Sequence, residues 1–437
     1  MNHPEVNVFW FRRDLRLHDN HGLFHALKSG LHVLPIFIFD NNILDRLEKP
    51  YQLRVQFIHQ SLQSIDQELR KHGSGLTVLH DKPINAFKKL IKSHKIKQVF
   101  TNRDYEKYGK ERDEQVAELL QSNGISFHDY KDQVIFEKLE VAKDDGNPYT
   151  VFTPYSRKWK FNLSNQPIKH FPSEKHFAQF FKYVPGDFPS LSSIGFKEKP
   201  FQFPSNNFPN DIIKKYSQQR DFPAINGTSK LGVHLRFGTI SIRELAVTAS
   251  KLNETYLNEL IWRDFYQSIL SNFPHISEGH SFKKEYDNIR WRNNEDEFEK
   301  WCNGQTGYPI VDAGMRELSQ TGFMHNRVRM IVASFLTKHL LIDWRWGESW
   351  FAAKLLDHDF AANNGGWQWA AGSGCDAAPY FRVFNPYLQT EKFDKEGKYI
   401  RQWVPEFDSL EYPQPMVQHE FARKRCLETY SKYLSKD

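Results

Sequence analysis

The sequence predicts a doubly wound, parallel, Rossmann-like α/β domain at the N-terminus, joined by a long linker to an all-α domain. Three observations carry this expectation. Residues 1–132 alternate short, β-rich apolar runs with amphipathic helical stretches. Nine of the 21 prolines then fall between Pro148 and Pro209. Nine of the 11 tryptophans lie between Trp262 and Trp403, so the two ends of the chain were built for different work. A chain of 437 residues exceeds what one core usually serves. The expected division is 1–132, a linker over 133–210, and a helical domain over 211–437.

In order, Val6–Phe11, His32–Phe39, Leu76–Leu79, Gln98–Thr101 and Ile125–Tyr130 have the composition of strands, and helical stretches such as Gln52–His72 and Ile84–His94 separate them. No G-x-G-x-x-G follows the first strand, so the fold alone implies no dinucleotide there. From Asp144 to Asn210, Pro, Phe, Lys and Ser dominate. This reads as a connection with only short helical pieces, such as Glu174–Phe181; disorder is the alternative, and the phenylalanines favour docking onto the protein. From Asp211 the pattern is helical, with long segments at Thr321–His339 and Gly347–Asp357. There is no internal repeat and no low-complexity segment.

A net charge of +6 permits nucleic-acid binding without establishing it, because clustering decides. No apolar run reaches the ~18 residues of a membrane span. The N-terminal residues have no secretory layout. Cys302, Cys375 and Cys426 are far apart and form no CxxC, as expected of reduced cytosolic thiols. No zinc-type Cys–His set is seen, and no metal is expected. No nucleophile elbow or phosphate-binding P-loop supports a hydrolase.

The densest chemistry lies in Asp357–Asn385, DHDFAANNGGWQWAAGSGCDAAPYFRVFN. Acids at Asp357, Asp359 and Asp376 accompany two indoles, Trp367 and Trp369, around one glutamine. Asn363 to Gly366 reads as a turn, with Gly365 and Gly366 leaving room for a close approach. A buried loop with aromatic packing would explain each feature singly. Together they suit a planar, polar-edged, redox-active ligand. Two helical stripes repeat the mixture. Glu259, Trp262, Arg263 and Tyr266 share one face, where a Glu259–Arg263 surface pair is the plain alternative. Asn326, Arg329 and Met330 share another, where a solvated basic helix end is the alternative. Ile225 to Leu231 precedes a helical stretch and could hold an anion or simply cap the helix.

NNGGWQWAAGSGCDAAPYFRVFNP resembles the flavin-binding signature of the photolyase/cryptochrome family, most closely the class I cyclobutane pyrimidine dimer photolyases. The similarity runs from FWFRRDLRLHDN (Phe9 to Asn20) to FDKEGKYIRQWVPE (Phe393 to Glu406). It implies a light-driven DNA-repair enzyme that binds FAD non-covalently, active as the reduced anion. It also implies an N-terminal domain for an antenna chromophore.

By this resemblance FAD is held by Tyr216, Thr228, Ser229, Lys230, Leu231, Gly232, Glu259, Arg263, Asn326, Arg329, Asp357, His358, Asp359 and Asn363. Gly232 stands where close relatives have Ser, which removes one hydroxyl contact. Asn363 belongs at flavin N5, and Arg329 pairs with Asp357 beside it. Arg220, Glu259, Trp262, Arg263, Asn326, Arg327, Met330, Trp369 and Gln389 face DNA or lesion, with Glu259 on the thymine carbonyls and Arg327 on the backbone. Trp367, Trp344 and Trp291 form an electron relay; core packing is the alternative for each.

A relative acting on the (6-4) lesion would carry pocket histidines where this chain has Asn326 and Met330. A cryptochrome, a signalling photoreceptor, is the other alternative, but its long C-terminal tail is not seen and the lesion set matches repair. A non-photochemical nucleic-acid-binding flavoprotein ranks below both. For the antenna, the folate-holding Asn-Glu pair aligns with Tyr108-Gly109 and a later lysine with Glu278. Folate contacts are therefore missing; a deazaflavin, another flavin or an empty site stay open. The implied partner is UV-damaged DNA, met by a cytoplasmic monomer.

Overall fold

The computed structural model describes residues 4–434. They divide into two compact units. The first holds the described residues up to Glu137 together with Leu163–Phe208 and Lys230–Thr248; the second holds Lys138–Asn162, Pro209–Ser229 and the described residues from Ala249 on. The stretch read as a linker is thus shared between them.

In the first unit, five short runs pair into one parallel sheet whose central strands are buried on both faces and whose edge strands are half-buried. Its strands are β1 (Glu5–Phe11), β2 (Val33–Asp40), β3 (Thr77–Asp81), β4 (Lys95–Asn102) and β5 (Ser126–Tyr130), in the order β3-β2-β1-β4-β5. Helices His21–Leu27, Leu53–Lys71, Pro83–Ser93 and Lys107–Ser122 make the crossovers. Val8, Trp10, Ile36, Phe87 and Leu120 belong to the core. Phe180, in the predicted connection, is fully buried and bridges to Val33 beside β2.

Strand order reverses beside β1 and β4, where doubly wound folds usually bind ligands. Here that point is filled by the chain itself. Asn102 accepts from Gly22 N at 2.8 Å and donates to Asp14 at 2.6 Å and to Asn20 at 2.8 Å. A methyl group on Gly22 would overlap Asn102 Oδ1. Around this knot the FRRDLRLHDN run forms an ion-pair lattice. Arg12 binds Asp113, Arg16 binds both oxygens of Asp132 at 2.8 Å, and Arg243 binds Asp19 and Asp132 at 2.9 Å each. Asp19, His170 and Glu244 bring ligand atoms within 4.8 Å of one another, but Asp19 is already taken up by Arg243, Ser241 and the Phe171 N–H.

The second unit is helical. Its site is carried by Glu254–Asn272, Pro309–Thr321, Asn326–Ser334, Trp344–Lys354, Phe360–Ala371 and Pro386–Phe393. Two expectations fail locally. The segment Thr321–His339 is not one helix: Gly322 at φ +68° ends the preceding helix. His325 then starts the next by accepting Arg327 N–H on its own imidazole Nδ1. The Asn363–Gly366 turn is also absent, because these residues lie inside Phe360–Ala371, capped by Asp359 accepting from Ala362 N. Gly365 serves close approach instead of a left-handed bend, since a methyl group there would overlap the Tyr266 ring. Trp301, Trp344 and Trp367 lie in the apolar core with Trp291 packed against it. All three cysteines are buried. Among the described residues no helix is long and apolar enough to cross a membrane.

Candidate functional site

The helices Asn326–Ser334 and Phe360–Ala371 bring the densest stretch against the two charged stripes. Arg329 Nη2 donates to both oxygens of Asp357, at 3.1 and 3.0 Å, and its Nε donates to Met324 O at 2.8 Å. Two contacts fix the guanidinium at an angle that one would leave free. Asn363 donates to Glu348 Oε1 at 2.8 Å and to Glu348 O at 3.1 Å, so its carboxamide is oriented from behind. Burial pushes the Glu348 carboxyl above its ordinary range, against the opposing Asn363 hydrogen bond. Glu348 was missed in the sequence; the clue was a carboxylate in WRWGESWF, a run otherwise rich in indoles. Asp359 accepts from Gln267 Nε2 at 3.0 and 3.2 Å, and half-buried His358 lies between the two acids.

On Glu254–Asn272, Glu259 binds Arg220, just past the helix Asn210–Gln219. Burial raises the Glu259 carboxyl although Arg220 pulls it down. Trp262 is stacked face to face on Phe152, with centroids 3.7 Å apart and planes 3° from parallel. Tyr266 lies tilted beside it at 5.5 Å. Phe152 was not singled out in the sequence, and its place in a proline-rich stretch gave no signal.

Asn326 is exposed at the start of its helix, and Met330 is half-buried one turn on. Arg327 does not extend into solvent. Its Nη2 donates to Asp221 at 2.7 Å, and the guanidinium lies 4.3 Å over the Phe393 ring. Trp369 and Gln389 are half-buried on Phe360–Ala371 and Pro386–Phe393.

Trp367 and Trp344 are each 2% exposed, whereas Trp291 is half-buried. Trp367 meets Trp301 edge-on at 6.0 Å and Phe351 at 5.0 Å. A methyl group on Gly347 would overlap the Trp367 indole. Trp291 meets Tyr430 edge-on at 6.0 Å.

Within the second unit, Ser229 Oγ lies 2.8 Å from Tyr256 OH, and Tyr216 meets Tyr256 edge-on at 5.0 Å. Thr228 is half-buried. Lys230, Leu231 and Gly232 open a segment of the first unit, Lys230 at φ +53° and Leu231 buried as the cap of Gly232–Phe237.

Asn258 Oδ1, Gln267 Oε1, His325 Nε2 and Trp350 Nε1 are among the buried polar atoms of the second unit that have no hydrogen-bond partner among the described residues. Buried polar atoms are normally paired, so such a set marks groups that expect a polar ligand or water. The Asn363 amide, the Arg329–Asp357 pair and the Asp359 carboxylate supply the kinds of donor and acceptor that a flat heterocycle with both kinds of edge would need. The residues fit a flavin nucleotide.

Residues 7–174 match the family described as DNA photolyase, and residues 256–411 match the FAD binding domain of DNA photolyase. A deoxyribodipyrimidine photo-lyase of Vibrio cholerae is 37% identical over 97% of this chain and 99% of its own length. A bacterial class III photolyase from Agrobacterium tumefaciens is similar in structure, with TM-score 0.86, 34% identity and 98% of each chain covered. The archaeal photolyase from Sulfolobus tokodaii, solved with two FAD molecules, has TM-score 0.84 at 36% identity, covering 98% of this chain and all of its own. These matches reach the family as a whole; the class I resemblance of the signature is narrower than what they establish.

Proposed function

The chain belongs to the DNA photolyase family, and from that premise we propose that it repairs DNA with light, splitting cyclobutane pyrimidine dimers into two pyrimidines. One observation carries the reading: the end-to-end similarity to an enzyme named deoxyribodipyrimidine photo-lyase. The site gives the residues their roles. Bound and reduced, FAD would supply the light-driven one-electron chemistry that opens the dimer.

The protein binds, orients and tunes charge. Tyr216, Thr228, Ser229, Lys230, Leu231 and Gly232 would hold the nucleotide's phosphates and ribityl chain, and Asn326, Arg263, Asp359, His358 and Asn363 its ring system. The Arg329–Asp357 pair holds a fixed cation near that ring, which favours its anionic form. A dimer in stacked DNA is out of reach, so the lesion must leave the helix, as it does in photolyases as a class. Trp262 and Trp369 offer faces for the extruded bases. Phe152 backs Trp262, which sets the plane of that face. Burial raises the Glu259 carboxyl, so a proton shared between it and a pyrimidine carbonyl would be held more readily as negative charge develops there. Arg220, Arg327 and Gln389 meet the backbone, and Asn326 and Met330 line the lesion pocket. Trp367, Trp344 and Trp291 would relay electrons from an external reductant toward an oxidised cofactor.

The functional division we propose gives 1–132 to the antenna chromophore, 133–210 to a linker and 211–437 to FAD and DNA. Tyr108, where the folate-holding Asn would stand, engages Asp40 and Asn42 through its hydroxyl, which leaves a flavin, a deazaflavin or an empty antenna site as the readings. The protein acts as a cytoplasmic monomer. The test mixes reduced protein with dimer-containing DNA: pyrimidine absorbance returns under blue or near-ultraviolet light and not in darkness. Equal recovery in the dark, or none in light, refutes the reading.

A further inference from the structure

Glu259, Arg220, Asp221 and Arg327 form a chain of alternating charge. Arg220 Nη1 binds Glu259, Arg220 Nε stands 3.9 Å from Asp221 Oδ1, and the same Asp221 oxygen receives Arg327 Nη2 at 2.7 Å. Two guanidiniums therefore share one carboxylate. The Arg327 group is otherwise in apolar company, 4.3 Å over Phe393 and 3.7 Å from Met330 Sδ, with its buried Nε lacking a hydrogen-bond partner. The neighbouring His325 adds no charge, because burial pushes its imidazole down to about 4.

We propose that Asp221 is a positioning residue that stands in for a DNA phosphate, holding Arg327 in its binding geometry until the backbone displaces it. The inference rests on the proposed role of Arg327 as a phosphate contact. Three features support it. A carboxylate and a phosphate present the same paired acceptor oxygens to a guanidinium. The Asp221 side chain is 38% exposed against 17% for Arg327, so the acid is the partner that solvent and an incoming anion can reach. Phe393 and Met330 keep the guanidinium in place when its anionic partner changes. Without such a stand-in, Arg327 would be a charge held against apolar groups; with it, every backbone contact at Arg327 begins by breaking an ion pair. Asp221 thus weakens binding to any DNA, which favours release of repaired product.

The experiment measures binding to undamaged duplex in the dark, in low salt, for the parent, Asp221→Asn, Arg327→Ala and the double variant. Asp221→Asn is expected to bind roughly two- to fivefold tighter, the range of a partly exposed ion pair. In the Arg327→Ala background most of that gain should vanish, only the part that acts through Arg220 remaining, and Asp221→Glu should bind as the parent does. A purely structural role would not give tighter binding that depends on Arg327. Asp221→Asn binding no tighter than the parent, or gaining equally without Arg327, overturns the proposal. If Asp221→Asn does not fold, Asp221→Ser gives the same readout. Unchanged binding by Arg327→Ala alone would instead refute the phosphate role. A failure of light-driven repair would refute the proposed activity through a separate assay.

Discussion

Each unit is organised by arginine–carboxylate pairs, but the two sets are buried to different depths. In the first unit, the Arg16 and Asp132 side chains are 3% and 1% exposed, and those of Arg243 and Asp19 are 7% and 0%. In the second, Arg220–Glu259 is 26% and 30% exposed and Arg329–Asp357 25% and 18%. A buried pair cannot exchange partners cheaply, since either ion left alone is an uncompensated charge in a poor solvent. A half-exposed pair is worth little to stability and can trade its partner for a ligand. The same chemistry therefore locks one unit and keeps the other's site available.

The lock should break first and hardest. Asp132 answers both Arg16 and Arg243, so Asp132→Ala strands two buried guanidiniums and should cost about 3–5 kcal/mol of unfolding free energy. The two arginines hold its carboxyl down at about 2 in spite of its burial. A depressed folded value stabilises above the ordinary carboxylate range, and that contribution is lost as pH falls through the folded value. Denaturant melts should therefore show the parent losing stability between pH ~4 and ~2, with the variant losing less over that window. A variant as stable as the parent at neutral pH would dissolve the contrast between the units.

Burial in the second unit is kept for groups that must not exchange, and Trp367 is one. Trp367→Phe should slow light-driven reduction of oxidised flavin at least about tenfold, equivalent to about 1.4 kcal/mol in barrier. Repair by chemically pre-reduced protein should survive, because the electron then starts on the flavin. Undiminished photoreduction would show that another route dominates; Trp301, edge-on to Trp367, is the first place to look. An effect of similar size is expected at the lesion wall. Glu259→Ala should lower repair per absorbed photon and cost about 1–2 kcal/mol of affinity for damaged DNA, one hydrogen bond to the lesion. Binding to undamaged DNA should barely move. If yield and lesion preference both persist, Glu259 serves only as the partner of Arg220.

The architecture was legible because period and composition declare it: the five apolar runs became five strands, each within a few residues of where alternation placed it. Boundaries were lost where one residue outweighed a pattern. Gly322 ended a helix whose apolar period ran on, and Asp359 capped one through an Asn-Gly run that reads as a turn. Partners were the least legible. FRRDLRLHDN marked a resemblance, yet nothing local said that Arg16 would meet Asp132, 116 residues away. Helical spacing offered Arg263 to Glu259 and could not offer Arg220, which the fold brings from outside that helix. Spacing reports only neighbours on the same element. Asp221 and Phe152 act across elements and carried no motif.

Arg220→Gln gives the smallest effect and the sharpest test of the contrast. Burial raises the Glu259 carboxyl above its ordinary value, and Arg220 limits the rise. Between the ordinary and the folded value the native state binds more protons than the unfolded chain, so stability falls as pH rises through that window, and the penalty is complete above it. Removing Arg220 widens the window and enlarges the penalty. Because both groups are partly exposed, the variant should lose under about 1 kcal/mol at neutral pH. Below the carboxylate range, where Glu259 is neutral in both states, parent and variant should converge. Chemical unfolding at neutral pH and at pH ~3 measures both arms. A loss of equal size at both would mean that Arg220 acts through its packing over Tyr216, 5.4 Å from that ring, and that charge exchange is not what this pair is for.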